Sequence, residues 1–170
     1  MRDESGRLPA RGTGGRLYPW GDRRSPEFAN YDETGIAARK LIEAKGHKVT
    51  SHTIVPNDAE RIKANVEKHL DDPTTQVIIT SGGTGIGSKD KTVDALRQLL
   101  EKDLLGFGEL FRRLSYKDVG PAAALSRSTA GIAKGKIIFC LPGSKNAVKL
   151  ALSKIILPSI GHMLWELKRQ

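Results

Sequence analysis

The stretch Val77-Ile78-Ile79-Thr80-Ser81-Gly82-Gly83-Thr84-Gly85-Ile86-Gly87-Ser88-Lys89-Asp90 decides the fold. Apolar, mostly β-branched residues run into a glycine-rich loop, and an amphipathic pattern opens at Thr92. A buried parallel strand delivers its C-terminal end to a ligand crevice in this way. Glycines let backbone N–H groups approach an anion closely, because no Cβ stands in the way. The loop is neither GxxxxGK[ST] nor GxGxxG, so a phosphate-bearing ligand is indicated without the two commonest nucleotide motifs. Asp90, at the far end, is placed to hold a cation beside phosphates.

Outward from this loop the chain alternates strands and helices. Asp32-Glu33-Thr34-Gly35 leads into a helix over 36–45, ended by Gly46. Alternation over Lys48–Val55 predicts a strand. Asn57-Asp58-Ala59-Glu60 reads as a capping-box start at Asn57, with Ile62, Val66 and Leu70 on one face of the helix that follows. Val93, Leu96, Leu99 and Leu100 mark another helix, and Leu110–Leu114 a short one. Ala133-Lys134-Gly135 joins Ser128–Ile132 to Lys136–Leu141 as an antiparallel hairpin. Ser144 opens a helix that Pro158 interrupts, and a last helix runs to about Leu167. The expected class is α/β: a three-layer αβα domain with a mostly parallel central sheet and a C-terminal hairpin.

The 170 residues suit one domain with a real core, and with only 5% aromatic residues that core must be aliphatic. No 18-residue apolar run and no signal-peptide pattern is read, so the chain is expected to be soluble and cytoplasmic, with no membrane partner. The single Cys140 fits a reducing compartment, and the four histidines lack metal-ligand spacing. The net charge of +9 is spread along the chain. It fits either a solvated basic surface or attraction of polyanionic ligands. No helix-turn-helix, zinc finger or aromatic stacking motif supports nucleic acid.

Ser81-Gly82-Gly83-Thr84-Gly85 followed by Lys89-Asp90-Lys91-Thr92 resembles the TGGTG…RDxT signature of the molybdopterin adenylyltransferase family, the MogA/MoaB-like proteins. Val55-Pro56-Asn57-Asp58, Gly106-Phe107-Gly108-Glu109, Leu125-Ser126-Arg127-Ser128 and Leu141-Pro142-Gly143-Ser144 resemble further family segments in order and spacing. The resemblance covers roughly Asp22 to Leu167, and the MoaB branch is nearer. It implies transfer of AMP from Mg-ATP to molybdopterin with release of pyrophosphate, Mg²⁺ as cofactor, and a homotrimer or hexamer.

The resemblance also implies site roles. Asp90 matches one catalytic aspartate and is the Mg²⁺ candidate. Asn57 stands where the family has its other functional aspartate; the change keeps capping ability but removes the charge. Asp58 is adjacent and is a candidate to take over. Nucleotide or pterin contacts fall to Ser81, Gly82, Gly83, Thr84, Gly85, Ser126, Arg127, Pro142, Gly143, Ser144, Asp32 and Gly35. Ser126 reads equally as a turn hydroxyl, Arg127 as a partner of a surface acid, and Ser144 as an N-cap. Phe107–Phe111 reads as core or subunit interface. Two other functions remain open: a non-catalytic pterin or nucleotide-binding module, and a basic nucleic-acid-associated domain.

Residues 1–24 differ in character, with six arginines, five glycines and two prolines. Pro19 cannot donate a ladder hydrogen bond where the family has an aliphatic central strand. Residues 1–20 are therefore expected to be a poorly structured basic segment, ahead of one domain over 21–170.

Overall fold

Two hydrophobic layers face opposite sides of one sheet, and the alternation of strand β4 (Lys136–Leu141) sorts residues between them. The structure, a computed structural model, describes residues 32–169. Ile137, Phe139 and Leu141 join the first layer; Ile138 and Cys140 join the second. That is the period-two consequence of a strand buried on both faces. Three-layer αβα architecture follows, as expected. The expectation for residues 1–20 lies outside the described residues.

The sheet order is β1-β4-β3-β2, with β1 Val77–Ser81, β2 Lys102–Asp103 and β3 Thr129–Ala133. β1 runs parallel to β4, from Val77 beside Ile137 to Ser81 beside Leu141. β3 runs antiparallel to both β4 and β2. The sheet is thus mixed among the described residues, not mostly parallel. The hairpin places β3 next to β4, and the short β2 extends that antiparallel side. Lys134 (φ 46°) and Gly135 (φ 68°) form the two-residue hairpin turn, both in the left-handed region that such turns require.

The first layer is built from α1 (Glu33–Glu43), α4 (Leu105–Val119) and the helical run Lys145–Lys168. The second is built from α2 (Ala59–Asp71) and α3 (Thr92–Arg97). Ile62, Val66 and Leu70 of α2 are all buried, as their spacing predicts. Helix α4 is longer than Leu110–Leu114 because Gly106-Phe107-Gly108-Glu109 belongs to it. Gly108 is buried so closely that a Cβ there would stand 2.7 Å from the Ser128 carbonyl oxygen. Phe107 and Phe111 lie in the core, with Phe107 edge-on to Phe139 at 5.1 Å.

Pro158 does not break the last helix. A π turn, Leu152–Ile156, joins α5 (Lys145–Ala151) to α6 (Leu157–Lys168), and the Leu157 N–H reaches back to the Leu152 carbonyl. The wider turn makes room for the proline ring, and the Ser159 hydroxyl donates to the Ile155 carbonyl at 2.5 Å. By length and composition this 24-residue run could cross a membrane. Val148, Ala151, Leu152, Ile155, Ile156 and Ile160 instead pack into the first hydrophobic layer.

Residues 47–56, where a strand over Lys48–Val55 was expected, form no ladder with any described residue. Val55 still packs against the second layer. A strand exists only with a neighbour to bond, and the edge of β1 away from β4 carries no partner among the described residues.

Burial pushes the Cys140 thiol up to about 11. An unfolded chain ionises this thiol near its ordinary value while the folded chain keeps the proton, so stability should fall as pH rises from about 9 towards 11. We expect Cys140 to resist alkylation in the native protein at pH 8 and to react at the rate of a free thiol in urea. Rapid native labelling would contradict its burial.

Candidate functional site

Parallel pairing of β1 with β4 sets two loops side by side at the C-terminal ends of both strands. One is Gly82–Asp90; the other is Pro142-Gly143-Ser144. The Gly82 N–H donates to the Leu141 carbonyl at 2.9 Å, and the Ser81 hydroxyl donates to the Pro142 carbonyl at 3.2 Å. A Cβ on Gly143 would lie 3.4 Å from Gly82 Cα. Thr34, in the first turn of α1, donates its hydroxyl to the Gly143 carbonyl at 3.2 Å and brings α1 to the same end.

Asp32 caps α1: its Oδ1 accepts from the Gly35 N–H at 2.8 Å. His52 Nε2 lies 3.0 Å from Asp32 Oδ2. Gly35 sits so tightly against both side chains that no Cβ fits there. Sequence reasoning gave His52 no role; only the folded chain shows its contact, twenty residues from Asp32.

Gly82 (φ 100°) and Gly83 (φ 67°) both occupy the left-handed region, which explains two of the loop glycines by backbone geometry alone. A Cβ on Gly83 would collide with Thr92 Oγ1, and the Thr92 N–H donates to the Gly83 carbonyl at 3.1 Å. Thr84 is buried. Asp90 folds back on the loop, its Oδ2 accepting from the Gly87 N–H at 3.0 Å. A Cβ on Gly85 would stand 2.8 Å from that same oxygen.

Asp58, not Asn57, is the N-cap of α2, with its side chain accepting from the Arg61 N–H at 3.0 Å. Asn57 is released for another task. Its Nδ2 donates to the Lys89 carbonyl, next to Asp90. The sequence register for this cap was therefore one residue early, and Asp58 is committed to its own helix.

Ser126 Oγ donates to Ser128 Oγ at 3.0 Å, and Arg112 supports the carbonyls of Ser126 and Ser128 at 3.4 and 3.3 Å. Arg127 reaches the glycine loop: its Nε donates to the Gly85 carbonyl at 2.8 Å, and its N–H to the Thr84 carbonyl at 2.9 Å. Ser144 is the N-cap of α5, its Oγ accepting from the Ala147 N–H at 3.3 Å. Asp32–Gly35, Asn57, Ser81–Asp90, Ser126–Arg127 and Pro142–Ser144 are thus linked at one end of the sheet. Asp94 was missed, although it turns out to bind Arg127. Among the described residues no three His, Cys, Asp or Glu side chains are grouped to hold a metal.

The sequence matches the family described as a probable molybdopterin binding domain over residues 13–162. The chain belongs to this molybdopterin-binding family. It is 45% identical to molybdenum cofactor biosynthesis protein B of Bacillus cereus, over 82% of this chain and 83% of that protein. A crystal structure of a molybdenum cofactor biosynthesis protein B superposes with TM-score 0.81 at 43% identity, covering 88% of this chain and 92% of the other. The tungsten cofactor synthesizing protein MoaB from Pyrococcus furiosus gives TM-score 0.75 at 35% identity, covering 81% and 86%.

Two substitutions test this geometry. Gly83→Ala combines a left-handed φ with a collision, so we expect urea denaturation to show a loss of about 2 kcal/mol or more. Asn57→Asp removes a donor and turns a carboxylate towards the Lys89 carbonyl. We expect a loss of about 1 kcal/mol, whereas a residue serving only as a helix cap would tolerate the change.

Proposed function

We propose that this protein acts in molybdenum or tungsten cofactor biosynthesis by transferring AMP from Mg-ATP to molybdopterin, with release of pyrophosphate. The observation that carries the reading is the convergence of Gly82–Asp90, Pro142–Ser144, Asp32–Gly35 and Ser126–Arg127 at one sheet end. The names of the similar proteins support the cofactor pathway.

In this reading a terminal phosphate oxygen of molybdopterin attacks the α-phosphorus of ATP, and the bond to pyrophosphate breaks. The Gly82–Gly85 turn exposes the N–H groups after Gly82 closely enough to donate to phosphates, and the fixed loops orient both substrates. Mg²⁺ fits the residues present only in company with phosphate oxygens: Asp90 supplies one carboxylate and Asn57 an amide. Asp90 Oδ2 is bonded to the Gly87 N–H, which aims the carboxylate along the loop. Bound with the nucleotide, the ion neutralises charge on the transferring phosphates. Assembly as a homotrimer or hexamer belongs to this reading, and exposed Leu105, Leu110, Tyr116, Val119 and Leu125 supply apolar surface for it. A cytoplasmic location belongs to it as well.

A second reading is favoured by Asn57. A neutral amide already bonded to the Lys89 carbonyl leaves one carboxylate where the resembled family has two, which suits a binding module without turnover. An assay of AMP transfer to purified molybdopterin separates the two. We expect Mg-dependent turnover, reduced at least about tenfold in Asp90→Asn, with stability within about 1 kcal/mol of the parent because asparagine can still accept from Gly87. Tight pterin and ATP binding without turnover in the parent selects the second reading.

A further inference from the structure

Arg127 enters the site but its guanidinium faces the protein. Nε donates to the Gly85 carbonyl at 2.8 Å and one terminal nitrogen to the Asp90 carbonyl at 3.0 Å. The other terminal nitrogen meets both Asp94 oxygens, at 2.8 and 3.0 Å. The Arg127 N–H donates to the Thr84 carbonyl. One residue therefore ties both ends of the 84–90 segment to the first turn of α3. The planar fork of arginine suits three separate acceptors, which a lysine point charge does not.

Asp94 has no role in the reading of the site so far. Its side chain is 58% exposed, so its ion pair adds little stability by itself. What the pair supplies is geometry. Asp94 orients the fork and balances its charge beside the loop. The hydrogen bond from Arg127 holds the Asp94 carboxyl below the usual carboxylate range. Arg127 is shifted up by the same contact.

We propose that Asp94 and Arg127 form a clamp that sets the shape of the glycine loop, with Arg127 acting on bound phosphates only through the Gly85 and Asp90 carbonyls. The proposal makes both positioning residues, and its ligand consequence rests on reading this loop as the phosphate site. The opposing geometry has Arg127 leave Asp94 and turn onto a phosphate. The two differ in sign. If Asp94 competes with phosphate for Arg127, then Asp94→Asn retains or tightens nucleotide binding. If Asp94 holds the clamp, the same change loosens the loop and weakens binding.

The test uses the full chain with Asp94→Asn, Arg127→Lys and the double variant, each checked for fold by circular dichroism. Hydrogen exchange of amides 84–90 without nucleotide should quicken about fivefold in each single variant, and the double should add little, because one shared contact is lost. Calorimetric titration with Mg-ATP should show Kd raised about tenfold in Asp94→Asn, with kcat changed less than about threefold where turnover is measured. Unchanged exchange at 84–90, or unchanged or tighter Mg-ATP binding in Asp94→Asn, overturns the clamp. If the parent binds no Mg-ATP, the phosphate-site reading fails, and the exchange rates still decide whether the clamp exists. If Arg127→Lys does not fold, Asp94→Asn alone decides.

Discussion

The rest of the structure depends on the parallel register of β1 on β4, Val77 beside Ile137 through Ser81 beside Leu141. That register ends two strands together, so the chain must leave both at the same place. It leaves one as a glycine loop and the other as Pro142-Gly143-Ser144. A slip of one residue would turn Ile137, Phe139 and Leu141 into the layer that now holds Ile138 and Cys140. The cost of exchanging two filled layers holds the register, and the register brings the loops into contact. Core packing and site geometry are one constraint.

Around the loop, hydrogen bonds take over from apolar burial. Few side chains from residues 82 to 90 are buried, Thr84 being the clear exception. The loop keeps its shape through bonds from Thr92, Asn57 and Arg127 to its carbonyls, and from its Gly87 N–H to Asp90. Three separate segments of the chain thus each supply a donor. The N–H groups of Gly82 and Gly87 are spent internally, so any phosphate contact falls to the amides between and beside them.

Much of this was legible in the sequence because it depends on local pattern. The run Val77–Gly85, the hairpin turn at Lys134-Gly135 and the α2 stripe each specify themselves over a few residues. What was misread depends on partners distant in the chain. Lys48–Val55 alternates like a strand, but alternation does not supply a neighbouring edge, and none pairs with it among the described residues. Asn57 and Asp58 cap helices equally well by propensity, and only the position of Lys89 decides which one is free. Pro158 breaks an isolated helix, but the π turn that ends two residues earlier and the packing of Ile155, Ile156 and Ile160 hold this one together. Asp94 looked like any exposed helical acid, because its partner lies 33 residues away.

The hairpin turn and the β1–β4 pairing differ sharply in how far apart their partners lie in the chain. β3 and β4 meet across Lys134-Gly135, whereas Val77 and Ile137 must close about 60 residues of chain. The difference in closure entropy is roughly 2–3 kcal/mol. Closure entropy therefore favours the hairpin over the long-range pairing. The two loops of the candidate site come together only when β1 pairs with β4. Without that pairing the two loops stand apart, so a ligand that needs both would recognise only the finished fold and stabilise it by mass action.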